Sequence, residues 1–257
     1  MAEDGYDQMD AWMEGYIEDF LKKPTPIKNN SILSAPNSSI FGEQSIYYKD
    51  QDLEDDVNWA KEKFSQLADT KVFLAEACKY IDEKYIGNVK KWNQEYVDTG
   101  KDKDTTLAEV KSEEVSSCFH RGIILTHLVN SLGVSGLSAN FVSGDWVETD
   151  RQKVLGQYDS SKYKYRGSGI AGVKFMEGEP GEAHAFVIVK SDEKYFLADP
   201  SLFIKDETQG TRVPVVEEFP KRTVLSREMS VNLPNGKSRH YVFHAMELEV
   251  EEVNPQN

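Results

Sequence analysis

Long apolar runs are missing from this chain of 257 residues. No stretch reaches the ~20 consecutive apolar residues that a membrane span needs, so no membrane partner is expected. The segment MAEDGYDQMDAWMEGY is acidic and has neither the basic nor the apolar part of a secretory signal, which makes the cytoplasm the expected location. Cysteine is scarce. Cys78 and Cys118 are the only two, which excludes a disulfide framework and suits a reducing compartment, although one Cys78–Cys118 bridge is compatible with the count. Positive charge is in deficit: 30 Lys and Arg face 44 Asp and Glu, a net charge of −14 that repels phosphate backbones. Nucleic acid is therefore not an expected partner, and a neutral or basic protein is accommodated more easily. No Gly-rich phosphate loop, zinc-type cysteine pair or internal repeat is found, and no cofactor or metal is expected. Nothing in the composition sets an oligomeric state.

What remains is ordinary material for a folded core, 39% hydrophobic and 29% charged. Residues 1–21 carry seven acids and no base, with Met9, Trp12, Met13, Tyr16, Ile17 and Phe20 at the spacing of a short amphipathic helix. Residues 22–50 are rich in Pro, Asn and Ser and read as an irregular connection. Between about Leu53 and Tyr85 apolar residues return at three- and four-residue steps, which predicts helix. Cys78 lies on that stripe and reads as a small buried hydrophobe. Residues 99–114 are polar and read as loop or a short exposed helix. Ser116 and Ser117 then offer N-caps to a helix from Phe119 to Gly133, with Gly133 as its stop. Beyond it the period becomes that of strands, at Ser138–Ser143, Gly169–Met176, Ala183–Lys190, Lys194–Ala198 and His240–Val250. Residues 150–168 and 203–236 read as long loops. Helices first and antiparallel strands afterwards argue for an α+β fold. The expected division is a helical N-terminal extension or lobe over 1–110 and a catalytic core over 111–257.

The serine caps place Cys118 in the first turn of a helix, where unpaired N–H groups and the helix dipole favour negative charge. That setting lowers a thiol pKa and offers the Cys118 N–H to a developing oxyanion. Downstream, Ser191-Asp192-Glu193 reads as a turn between two strands, so Ala183–Lys190 and Lys194–Ala198 should form a hairpin. If Lys190 pairs with Lys194, His184 falls opposite Pro200. A shift of one residue puts it opposite Asp199. Either register brings an imidazole near a carboxylate able to orient it and stabilise its protonated form. Nucleophile, base and orienting acid are the three roles of a thiol acyl-transfer enzyme.

The run CFHRGIILTHLVNSLGVSGLSANFVSGDW resembles the nucleophile helix and following strand of the transglutaminase-like superfamily. AHAFVIVKSDEKYFLADPS resembles its His strand and the Asp-Pro of the next strand. The order Cys, His, Asp agrees. The likeness covers roughly residues 113–203. It implies a papain-like core, with a central helix packed on an antiparallel sheet, and a catalytic triad of Cys118, His184 and Asp199. The Cys-to-His interval is long for the family, with residues 150–168 as the inserted length, and Phe186 stands where the family often has Trp. The implied activity is cofactor-free acyl transfer on a carboxamide, foremost a glutamine side chain of a protein, by deamidation or transamidation. A cysteine peptidase or amidase with the same triad, and a silent protein-binding module on the same fold, are the alternatives. The oxyanion hole would be completed by Gln44, Trp92 or Gln94, between which the sequence does not choose. Asp145 and Trp146 fall where they could line the cleft. His120 reads as solvated or capping, His127 as a mid-helix residue. His240 and His244, four residues apart, lack a third zinc ligand. The glutamate-rich tail MELEVEEVNPQN resembles those of some translocated bacterial effectors, which would make the substrate a host protein reached without a cleaved signal peptide. Read plainly, it is an acidic edge strand and tail.

Overall fold

The computed structural model describes residues 14–38, 42–67, 69–150, 163–166, 173–176, 182–206, 211–225, 228–233, 236–243 and 248–253. Residues 14–22 are helical (α1), with Ile17, Phe20 and Leu21 buried; Met9, Trp12 and Met13 lie outside the described residues. The apolar pattern expected to give one helix between Leu53 and Tyr85 gives two, α2 (Glu54–Gln66) and α3 (Thr70–Lys84). They part because Leu67 is extended and Asp69 caps a new start, its carboxylate accepting from the Val72 N–H. The stripe of α3, formed by Phe73, Leu74, Ala77, Cys78 and Ile81, is fully buried. Phe73, Leu74 and Ile81 each contribute about 1.5–3 kcal/mol by leaving water. A short helix α4 (Val89–Trp92) runs into a π turn at Asn93–Val97. The polar stretch 99–114 holds α5 (Leu107–Ser112), capped reciprocally by Thr106 and Glu109, with Leu107 and Val110 buried.

Helix α6 (Cys118–Asn130) is enclosed on nearly all sides, from Phe119 to Val129 save His127. A helix without a wet face belongs inside the molecule. It lies across a six-stranded antiparallel sheet in the order β8-β7-β6-β3-β10-β9. These strands are β3 (Leu137–Asp150), β6 (Glu182–Ser191), β7 (Lys194–Asp206), β8 (Thr211–Phe219), β9 (Glu228–Asn232) and β10 (Lys237–Phe243). The polar stretch 203–236, expected as loop, thus supplies β8, β9 and a short helix α7 (Lys221–Leu225). Of residues 150–168, 151–162 lie outside the described residues. Tyr163–Arg166 form β4, paired with β5 (Val173–Met176).

The expected connection 22–50 contains β1 (Ser31–Ser38) and β2 (Gly42–Tyr48), which form a three-stranded sheet with β11 (Glu249–Glu252). The expected strand 240–250 is therefore two strands in two sheets. One hydrophobic cluster runs from Leu33 through α3 and α6 to Leu248, so the segments before and after residue 110 share a core. The other face of the large sheet carries a second cluster that includes Ile17 and Leu21 of α1 and Val224 of α7.

Helix α6 touches the sheet through Gly122, one turn after Cys118. A Cβ there would stand 2.9 Å from Cε2 of Phe141, a ring with no exposed surface into which to retreat. Ala gains about 1 kcal/mol of helix propensity over Gly, while overpacking costs about 1–3 kcal/mol. Gly122→Ala is therefore expected to lower stability in urea unfolding, and a gain would show that the contact yields.

Candidate active site

Ser117 is the N-cap of α6 in extended backbone, and Cys118 is its first residue, so the thiol sits among unpaired N–H groups. Behind it, His120 is wholly buried, not solvated. Its Nδ1 accepts from the Ser117 N–H at 3.0 Å and lies 3.1 Å from Ser117 Oγ, completing a cap at this helix start. Burial, with the nearby Arg121 charge, pushes the His120 pKa down to about 3, so the ring is neutral and free to accept. Ser117 Oγ also reaches Gln44 Oε1 at 3.2 Å. Arg121, 7% exposed, fastens the same turn to its surroundings. It donates to the Tyr85 carbonyl through Nε and Nη2, to Asp82 Oδ1 at 2.8 Å and to the Pro200 carbonyl at 3.3 Å. The α6 start is thus tied both to the end of α3 and to the residue after Asp199.

The hairpin register differs from both expected ones. Ser191 pairs with Lys194 and Val187 with Ala198, around a two-residue Asp192-Glu193 turn in which Asp192 has φ 53°. Continuing that ladder puts Asp199 opposite Phe186, with His184 two residues along on the same face. His184 itself pairs in register with Gly144 of β3. His184 Nε2 and Asp199 Oδ2 are 2.9 Å apart. The Cys118 thiol lies near enough to the His184 side chain and the Ala185 N–H for both to act on its charge. With Nε2 taken by the carboxylate, Nδ1 is the nitrogen left for sulfur.

Asp199 has no exposed surface and four donors. Besides His184, Tyr241 Oη donates to Oδ2 at 2.9 Å, and the N–H groups of Ser201 and Leu202 donate to Oδ1 at 2.9 and 3.1 Å. Those N–H groups are available because β7 bulges here: Asp199 pairs with Val215 and Phe203 with Pro214, leaving residues 200–202 outside the ladder. Burial raises the Asp199 pKa, but the His184 charge and these hydrogen bonds outweigh it and hold it below the usual carboxylate range. Burial likewise opposes charge on His184, and Asp199 with Cys118 overcomes it, pushing the imidazole up to about 10. For Cys118 burial also disfavours the charge, yet the His184 hydrogen bond and charge and the Ala185 N–H bring the thiol below its ordinary value. The three groups together favour a thiolate–imidazolium pair over a neutral one.

The thiol opens on a cavity of about 430 Å³, lined with Ser116, Ser117, Arg121 and Gly87. Around His184 stand aromatic rings: Phe186 at 6.2 Å, Trp146 at 6.3 Å and Tyr241 at 6.4 Å between centroids. The side chain of Asp145 lies outside the described residues. Of the three oxyanion candidates, Gln44 alone is hydrogen-bonded to the residue preceding Cys118. Trp92 is wholly buried and packed against His120 and Tyr96, and Gln94 is exposed on the π turn.

Elsewhere, Cys78 is a free thiol in the core, its pKa pushed up by burial; Cys118 is free and partly exposed. His127 is held between Tyr48 Oη and Ser131 Oγ, and His240 Nδ1 pairs with Ser230 Oγ. His244 lies outside the described residues. Among the described residues no cluster of three metal-ligating side chains occurs, and no helix there is long and apolar enough to cross a membrane. Sequence reasoning missed Tyr241 and Arg121, whose partners lie far along the chain and leave no local signal. No family model, curated protein or solved structure matches the chain.

Proposed function

We propose that this protein is a cysteine acyltransferase or amidohydrolase with a papain-like, transglutaminase-like core, acting on a protein carboxamide, foremost a glutamine side chain. The observation that carries the reading is the single chain of contacts from thiol to imidazole to buried carboxylate, ending at the 2.9 Å His184–Asp199 bond. The central helix on an antiparallel sheet and the order of the three residues agree with it.

The Cys118 thiolate attacks the carboxamide carbon and forms a tetrahedral adduct, whose oxygen takes up negative charge. The Cys118 N–H and the Gln44 amide are the donors for that oxygen. His184 Nδ1 gives its proton to the departing nitrogen, the C–N bond breaks, and ammonia leaves a thioester on Cys118. Water attacks the thioester, His184 takes its proton, and glutamate forms with the thiol restored. A primary amine in place of water gives a crosslink. Asp199 stays ionised throughout and holds the ring in place. No step calls on a cofactor or metal.

The test is to incubate the full chain and its Cys118→Ala variant with a protein extract, and to search both by mass spectrometry. Glutamine-to-glutamate conversion or isopeptide crosslinks found with the parent chain and lost with the variant are expected. Cleaved main-chain bonds would assign a peptidase, and identical extracts would leave a binding module.

A further inference from the structure

The cavity beside Cys118 has a chemistry that the triad does not use. Its lining includes Arg121, Arg212 and one acid, Asp82, which leaves one net positive charge in a protein of net charge −14. Asp82 is shared: Oδ1 accepts from Arg121 and Oδ2 lies 3.0 Å from Arg212 Nη1. Arg121 is spent on the interior. Arg212 is not, because its side chain remains 63% exposed, with the guanidinium 4.8 Å above the Phe203 ring that supports it. Ser201, also in the lining, has a hydroxyl without a hydrogen-bond partner among the described residues. A hydroxyl in that state is a donor still unspent beside the cavity. The cavity is also lined by Ile86 and Val89, two of the exposed large hydrophobic residues. Gly87 between them keeps it open, since a Cβ there would stand 3.0 Å from the Ser116 carbonyl oxygen and 3.3 Å from Arg121 Nη2.

We propose that this cavity is a carboxylate-recognition subsite, in which Arg212 and Ser201 receive an acidic group of the substrate while Ile86 and Val89 receive an apolar one. The subsite rests on Cys118 being the nucleophile, because its purpose is to present a carboxamide next to a carboxylate to that sulfur. A planar guanidinium on an aromatic ring suits a carboxylate, which accepts two parallel N–H bonds. The general negative charge of the protein repels acidic segments at long range, so the substrate is one whose acid is local and whose overall charge is neutral or basic. The acid is a side chain flanking the target or a chain-terminal carboxylate.

Two small alkylating reagents test this without knowledge of the substrate. Iodoacetate and iodoacetamide both put a carbon on the Cys118 sulfur with loss of iodide, and they differ in carrying a carboxylate or a neutral amide. The rate of each at Cys118 is measured by mass spectrometry in the full chain, in Arg212→Gln and in Arg212→Lys. In Arg212→Gln the iodoacetate-to-iodoacetamide ratio is expected to fall about two- to fivefold, the size of one solvent-exposed charge contact. The iodoacetamide rate should stay put, and Arg212→Lys should keep most of the ratio. An unchanged ratio in Arg212→Gln overturns the subsite and leaves the nucleophile standing. Slow reaction of Cys118 with both reagents, no faster than a free thiol, overturns the nucleophile and the subsite with it. An amidated glutamine–glutamate peptide and a glutamine peptide with a free C-terminus, compared as protectants of Cys118, distinguish the two sources of the acid.

Discussion

On the proposed mechanism an alanine at His184 is expected to lower turnover by about 10³–10⁴-fold, because one ring would perform two tasks. It holds the sulfur as thiolate and it supplies the proton to the leaving nitrogen. The loss is visible in the pH dependence. In the parent chain the thiol pKa is lowered, so alkylation by iodoacetamide should rise at a pH below the range of about 8.5 where free thiols ionise. As pH falls through the lowered value the thiolate is protonated and the rate drops. Turnover has a second limb, since the imidazolium must be charged and titrates only near pH 10. Without the ring, the remaining influences on Cys118 include burial and the negative Asp199, both of which oppose the thiolate. The alkylation midpoint should therefore move above the free-thiol range. Asp199 keeps Tyr241 and the two N–H groups of the bulge, so the fold survives the substitution. An alkylation midpoint that stays in place would sink the ion-pair account.

The second large effect is on stability. Arg121→Ala removes a buried cation that serves Asp82, Tyr85, Ser116 and Pro200 at once. Breaking a buried ionic network on one side leaves the other side unmet, a loss of about 3–5 kcal/mol. For a chain of this size each kcal/mol shifts Tm by about 2–4 °C, so a drop near 10 °C is expected in thermal unfolding. Arg121→Lys should recover only part of it, since one ammonium cannot span partners that approach three different nitrogens. A drop of only a degree or two would mean that the clamp contributes little.

Helix α6 was legible because two local signals coincide at its start: serine caps and an apolar run. The hairpin was legible too, but its register was not. The first expected register centred the turn on Asp192 and the shifted one between Ser191 and Asp192, whereas the observed pairing centres it between Asp192 and Glu193, with Asp192 at φ 53°. The meeting of His184 with Asp199 survives because the observed register keeps the two side chains on one face. β1 and β2 were missed because buried serines, Ser31, Ser34 and Ser45, take inward positions that pattern reading reserves for apolar residues. β8 was hidden by Pro214 and by the adjacent Glu217 and Glu218, which break the period of a strand. Tyr241 could not have been found at all, since it reaches Asp199 from 42 residues away.

The small sheet closes on the chain's two distant ends: Ser31 pairs with Glu252, and the strand between that pair and the helices is β2, which carries Gln44. Pairings between such remote partners form late, because the loop they close runs from Ser31 to Glu252. While the ribosome is still extending the chain, the large sheet and its thiol can assemble, but β1 keeps a bare edge until β11 emerges. Without β11 the β1 edge would thus be open to pairing with another chain, an invitation to aggregation.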